Sequence, residues 1–155
     1  MMSINKRPVK SRPRQLSILA AEDDLDQQFV LQSYFSKTPH TLTFVRNGLL
    51  AVEAVRENHF DLVLMDIAMP IMDGLEATSH IRAWEKRQCL PPIPIIALTA
   101  HAMKHHKISC IEAGCNAHIS KPVYMETLFA AVRRWTLRVP IVDITHRPYP
   151  PLTLS

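Results

Sequence analysis

Carboxylates, a hydroxyl and an ammonium stand where apolar runs of this chain break off. "LSILAA" stops at Glu22, Asp23 and Asp24; "DLVLM" stops at Asp66; the run within "PPIPIIALTA" ends at Thr99; "AHIS" is followed by Lys121. If these runs lie side by side, the acids share one crevice. Carboxylates crowded together repel and stay ionised only with a divalent cation between them. Oxygen ligands without a nearby cysteine or histidine favour Mg²⁺ over zinc. A lysine and a hydroxyl beside such a cluster suit a phosphoryl group, whose oxygens the cations neutralise and the hydroxyl can bond. Asp66 at a strand tip is then placed to act as a nucleophile. The turn after it brings a backbone carbonyl near the metal.

The elements between the runs decide whether the groups can meet. The runs read as strands at "LSILAA", "TLTFV" (Thr41–Val45), "DLVLM" (Asp61–Met65), Ile93–Leu98 and "AHIS" (Ala117–Ser120). Helices are expected over 24–37, from Asn47-Gly48, from Gly74, over 102–113 with Gly114 as its stop, and from Tyr124. Gly48, Ala51, Val52 and Val55 follow the spacing of one buried helix face, as do Leu128, Ala131, Val132 and Trp135. Strand and helix therefore alternate through the chain. Strands apolar on both faces, separated by amphipathic helices, predict an α/β fold with a doubly wound parallel sheet of five strands. Right-handed crossovers put every strand's C-terminal end on one edge, where open α/β sheets bind ligands.

The residues in this order resemble the receiver domain of two-component response regulators, the CheY-like fold. The resemblance spans roughly residues 16–138 and rests on "ILAAEDD", "LMDIAMPIMDG", "ALTA" and "HISKP". "RNGLLAVEAV" and "EAGCNAHISKP" are similar to the family's helix start and last loop. The "ALTAHAM" wording is most like receivers of hybrid histidine kinases. The resemblance implies the flavodoxin-like, three-layer strand order 2-1-3-4-5. It implies Asp66 as phosphoacceptor, with Mg²⁺ held by Asp66, Asp23, Glu22 (mostly through water) and the backbone carbonyl of Ala68. It further implies Thr99 as switch hydroxyl, Lys121 as phosphoryl-binding cation and a cis Lys121–Pro122 peptide. The donor would be a phosphohistidine on a sensor histidine kinase or a histidine phosphotransfer protein, and the output a contact with a downstream protein. Two positions depart from the pattern: Glu22 stands where Asp is commoner, and His118 stands at the switch position usually held by Tyr or Phe.

Composition narrows the alternatives. At 155 residues, 47% hydrophobic and 21% charged, the chain fits one globular domain. The net charge of +4 belongs to a tail: Lys6, Arg7, Lys10, Arg12 and Arg14 lie in residues 1–15 without an acid. Residues 1–15 thus read as a basic disordered leader and 139–155 as a proline-rich C-terminal tail. The core between them offers no nucleic-acid surface. No run approaches the ~18 apolar residues of a membrane span. The basic N-terminus lacks the apolar stretch of a secretory signal, so a cytoplasmic protein is expected.

Cys89, Cys110 and Cys115 are an odd, widely spaced set without Cys-x-x-Cys, and read as buried or incidental thiols. His101 and His105 have the i, i+4 spacing of some zinc ligands, but no acidic base accompanies them. With His106 they read as a solvated helix face. Asp73-Gly74 reads as a turn and helix start, and Met65, Met69 and Met72 as packing. Two other functions use parts of the same pattern. A phosphatase of the haloacid-dehalogenase type needs a second aspartate two residues past the first, where this chain has Ala68. A phosphorylation-independent binding module on the same fold would not need the acids, Thr99 and Lys121 together. A dinucleotide-binding domain lacks its glycine motif, since the chain has 3 glycines. The expected protein is not a turnover enzyme on an external substrate. It catalyses only its own phosphorylation and dephosphorylation.

Overall fold

A computed structural model describes residues 14–101 and 103–136. Most of the leader and the whole proline-rich tail lie outside the described residues. The strands are β1 (Ser17–Ala21), β2 (Thr41–Val45), β3 (Leu62–Asp66), β4 (Ile95–Thr99) and β5 (Ala117–Ser120). Between and after them run α1 (Leu25–Phe35), α2 (Gly48–Glu57), α3 (Gly74–Arg87), α4 (Lys104–Ala113) and α5 (Met125–Thr136). All neighbouring strands pair in parallel, in the order β2-β1-β3-β4-β5. This is the expected doubly wound sheet.

Burial follows position in the sheet. The central strands β3 and β4 are buried at every residue, whereas the edge strand β2 alternates between exposed and half-buried. Successive side chains of β1 point to opposite faces. Ile18 and Ala20 join Leu31, Phe35, Leu128 and Val132 of α1 and α5 in one core. Leu19 and Ala21 join Val52, Val55, Ala77 and Ile81 of α2 and α3 in the other. The sheet separates the two cores.

Caps set the helix starts. Asp24, Asn47 and Asp73 accept backbone N–H bonds from Gln27, Leu50 and Glu76 at 3.0, 2.8 and 2.8 Å. Asp73 is thus the expected helix start. Gly114 ends α4 in the left-handed region, at φ 107°. The Gly114 N–H donates to Ile111 O at 3.0 Å and the Cys115 N–H to Cys110 O at 2.9 Å, the paired bonds of a Schellman motif.

The helix over 102–113 is shorter than expected. It begins at Lys104, so His101 precedes it and shares no helical turn with His105. His101 instead stacks on His106, ring centroids 5.0 Å apart; His101 and His105 are exposed and His106 is half-buried. The expectation of a helix face holds for His105 and His106 alone.

Candidate functional site

Backbone hydrogen bonds between strand ends assemble the site. The Glu22 N–H donates to Val45 O at 2.9 Å, tying the end of β1 to β2. The Ile67 N–H donates to Leu98 O at 3.1 Å, so the residue after Asp66 is held by β4. The Lys121 N–H donates to Thr99 O at 2.7 Å, which fixes the start of the lysine loop on β4. The chain leaving Asp66 turns tightly, and the Gly74 N–H donates to Ile67 O at 2.9 Å. A Cβ on Gly74 would lie 2.1 Å from Asp66 O, so only glycine lets α3 start there. Within this loop Ile71 has φ 71°, and the Met72 N–H donates to Pro70 O at 2.8 Å across it. That is a γ-turn of the rare, strained kind, on a β-branched residue. The Lys121–Pro122 peptide is cis.

The carboxylates converge. Glu22, Asp23 and Asp66 each offer an oxygen within 4.8 Å of the others. Glu22 and Asp66 are buried, with relative exposures of 1% and 4%. Lys121 Nζ reaches both, donating to Glu22 Oε2 at 3.0 Å and lying 3.2 Å from Asp66 Oδ2. Glu22 Oε1 accepts the Asp24 N–H at 3.1 Å, and Gln28 Nε2 donates to the Glu22 carbonyl at 2.7 Å. Burial pushes the Glu22 carboxyl above its usual range, and Asp66 adds to this; the Asp24 N–H and Lys121 act against it. For Lys121, burial is the largest single influence and works to lower its value. Together Glu22 and Asp66 outweigh burial, so the ammonium is held more tightly than usual.

The remaining expected residues are placed as follows. Asp24 faces away as the cap of α1 and takes no part in the cluster. Thr99 is buried at the end of β4, but its hydroxyl donates to His101 O at 3.1 Å and accepts the His101 N–H at 3.0 Å. It bonds its own loop rather than the carboxylates. Ala68 is exposed beside the cluster, its N–H directed at Asp66 Oδ1 at 3.4 Å. His118, half-buried on β5, lines a surface hollow of about 390 Å³ with Lys121, Pro122, Tyr124 and Thr127. Gln28, which pins the acid loop to α1, was missed by the sequence reading. Nothing in its spacing distinguishes it from a solvated helix residue.

Three carboxylates against one ammonium leave excess negative charge at the cluster. All the donors are hard oxygens, the set that Mg²⁺ prefers. The residues present therefore fit a divalent cation.

A parallel sheet in this order, with an acid cluster and a lysine on the edge formed by its strand ends, defines a receiver-type fold. The chain belongs to the response regulator receiver domain family, whose family model matches residues 18–133. It is 39% identical over 130 residues to the sensor protein GacS of Pseudomonas syringae pv. syringae, covering 83% of this chain and 14% of that protein. It is 40% identical over 119 residues to hybrid signal transduction histidine kinase M of Dictyostelium discoideum, covering 76% of this chain and 5% of that protein. The chain thus spans only a small part of these curated relatives.

Two solved structures are similar over most of their length. One is the receiver domain of sensor histidine kinase PA1611 from Pseudomonas aeruginosa PAO1, with a magnesium ion coordinated in its active-site cleft. Its TM-score is 0.71 and its identity 33%, over 79% of this chain and 98% of that one. The other is the co-crystal structure of the Saccharomyces cerevisiae phosphotransfer protein Ypd1 with the receiver domain of its downstream response regulator Ssk1. The TM-score there is 0.79 and the identity 28%, over 84% of this chain and 94% of the matched one.

Proposed function

We propose that this receiver accepts a phosphoryl group on Asp66 from a phosphohistidine of a sensor histidine kinase or histidine phosphotransfer protein. The observation that carries the reading is the convergence of Glu22, Asp23 and Asp66 on one another and of Lys121 on two of them. Glu22, Asp23, Asp66 and the Ala68 carbonyl would hold Mg²⁺, which when bound neutralises phosphoryl oxygens. An Asp66 carboxylate oxygen attacks phosphorus in line, and the bond from phosphorus to the histidine nitrogen breaks. Lys121 is placed to follow the transferring oxygens, since its ammonium already contacts Asp66. Thr99 supplies a hydroxyl once it leaves its loop partner, His101. Water later hydrolyses the acyl phosphate, so the domain catalyses its own gain and loss of phosphate.

In this reading residues 16–138 are the functional unit, flanked by the basic leader and the proline-rich tail, in the cytoplasm. Charge added at Asp66 shifts a surface read by a downstream protein, with His118 beside Lys121 in the switch position. Incubation with acetyl phosphate and Mg²⁺ tests the core claim. Wild type should gain one acid-labile phosphoryl group by mass spectrometry, and Asp66→Asn should gain none while keeping its circular dichroism spectrum. Full labelling of Asp66→Asn would move the phosphoacceptor elsewhere.

A further inference from the structure

The cysteines have no part in the phosphoryl chemistry, yet two of them meet. Cys110 is buried on the inner face of α4, and Cys115 is half-buried just beyond Gly114. They occupy the two positions whose side chains touch in a Schellman motif, and the Cys115 N–H to Cys110 O bond of 2.9 Å closes it. That bond holds the backbones at the separation a disulfide spans, roughly 4.4–6.8 Å between α-carbons. Both thiols are free, and each feels the other.

We propose that Cys110 and Cys115 form a redox-closable dithiol, converted to an intramolecular disulfide by hydrogen peroxide. Cys115, the more accessible of the two, attacks the peroxide O–O bond as its thiolate. It becomes a sulfenic acid, and the leaving oxygen departs as water after taking up a proton. The Cys110 sulfur then attacks the Cys115 sulfur and expels hydroxide, which takes up the proton that the Cys110 thiol loses. Two thiols and one peroxide give one disulfide and two waters, the sulfurs oxidised and the peroxide oxygens reduced. Burial pushes both thiols above their usual range, Cys115 to about 11. The thiolate fraction at neutral pH is therefore small, and closure answers sustained oxidant rather than a brief pulse. The pair also touches the phosphoacceptor loop. Cys115 Sγ lies 3.8 Å from Thr78 Oγ1, and Thr78 Oγ1 donates to Gly74 O at 2.8 Å, beside Asp66.

The test uses the full chain carrying Cys89→Ser, which removes the exposed third thiol. After hydrogen peroxide, the protein is denatured, treated with N-ethylmaleimide and digested with trypsin. One tryptic peptide, residues 108–133, contains both cysteines, because trypsin does not cut the Lys121–Pro122 bond. It should be lighter by two hydrogens and take up no maleimide, and after a reductant it should take up two. In Cys110→Ser the sulfenic acid has no partner, so Cys115 should react with dimedone. Two maleimides on the oxidised peptide, an oxygen adduct without the loss of two hydrogens, or a disulfide joining two chains would each overturn the proposal.

Discussion

Lys121 balances two of the three carboxylates, and under the proposed function its removal should separate metal binding from phosphoryl handling. It cannot ligate a cation, and it occupies Glu22 Oε2 and Asp66 Oδ2, oxygens that a metal would want. Lys121→Ala should therefore bind Mg²⁺ at least as tightly as wild type in a fluorescence or calorimetric titration, while labelling by acetyl phosphate slows. A tenfold loss of Mg²⁺ affinity, about 1.4 kcal/mol, would show that the lysine instead organises the metal site. Glu22, Asp23, Asp66 and Lys121 were legible because each follows an apolar run, and a parallel sheet gathers strand ends on one edge. Asp24 looked equivalent to its neighbours, but a helix start competes for its carboxylate. Thr99 was legible in place and not in orientation, since its partner is the backbone of His101. The strained Ile71 was not legible at all: an exposed β-branched residue carries no sequence mark of positive φ.

At the scale of elements, α3 is tied to two loops away from the site. Arg82 Nε donates to Gly114 O at 3.0 Å, Nη1 to Glu85 Oε1 at 2.7 Å and Nη2 to Asn116 Oδ1 at 2.9 Å. Glu85, 4% exposed, also accepts the Ile93 N–H at 2.6 Å. Arg82 thus joins α3 to the loop before β5, and its partner Glu85 joins α3 to the loop before β4. Removing the arginine strands a buried carboxylate, so Arg82→Ala should cost about 3 kcal/mol in urea unfolding. Glu85→Gln, which keeps acceptor and volume, should cost much less. Equal losses for the two variants would mean that the charge pairing is not what stabilises this corner. Apolar periodicity revealed the number, kind and order of elements. It could not reveal this network, because Arg82 and Glu85 on a helix otherwise read as a solvated i, i+3 pair. Boundaries slipped where apolar residues continue past an element: Ile93 packs as part of a loop, and β4 starts at Ile95.

For the whole molecule, the pH dependence of stability has contributions of opposite sign. At the sheet edge opposite the acids, His40 Nδ1 accepts the Leu16 N–H at 3.1 Å. Burial lowers its value in the folded state, with Asp61 pulling the other way. Between that lowered value and the unfolded ~6.5, the unfolded chain binds more protons, so stability rises with pH there. The contribution is complete above ~6.5 and is lost as pH falls through this window. Glu22, raised in the folded state, works oppositely: from its ordinary value of 4.5 upward, the unfolded chain releases its proton first and stability falls with pH. Both effects act in wild type and only the second in His40→Asn. The stability difference between the two should therefore shrink as pH drops from 7.5 to about 5. A pH-independent difference would show that His40 does not titrate on folding.

The partition of the interior by the sheet has one more consequence. Leu31 belongs to one core and Ile81 to the other, with fully buried strands between them. Leu31→Ala and Ile81→Val should add to within about 0.5 kcal/mol when combined, whereas Val52→Ala with Ile81→Val, on one face, should depart further. Departure of the cross-sheet pair by more than that would mean that the strands relay packing changes between faces. If the faces are additive, random substitutions sort into two lineages of compensation. A lesion beneath α1 and α5 is repaired by neighbours on that side, and a lesion beneath α2 and α3 by its own. Each surface can then diverge for a new partner while the other keeps its old one.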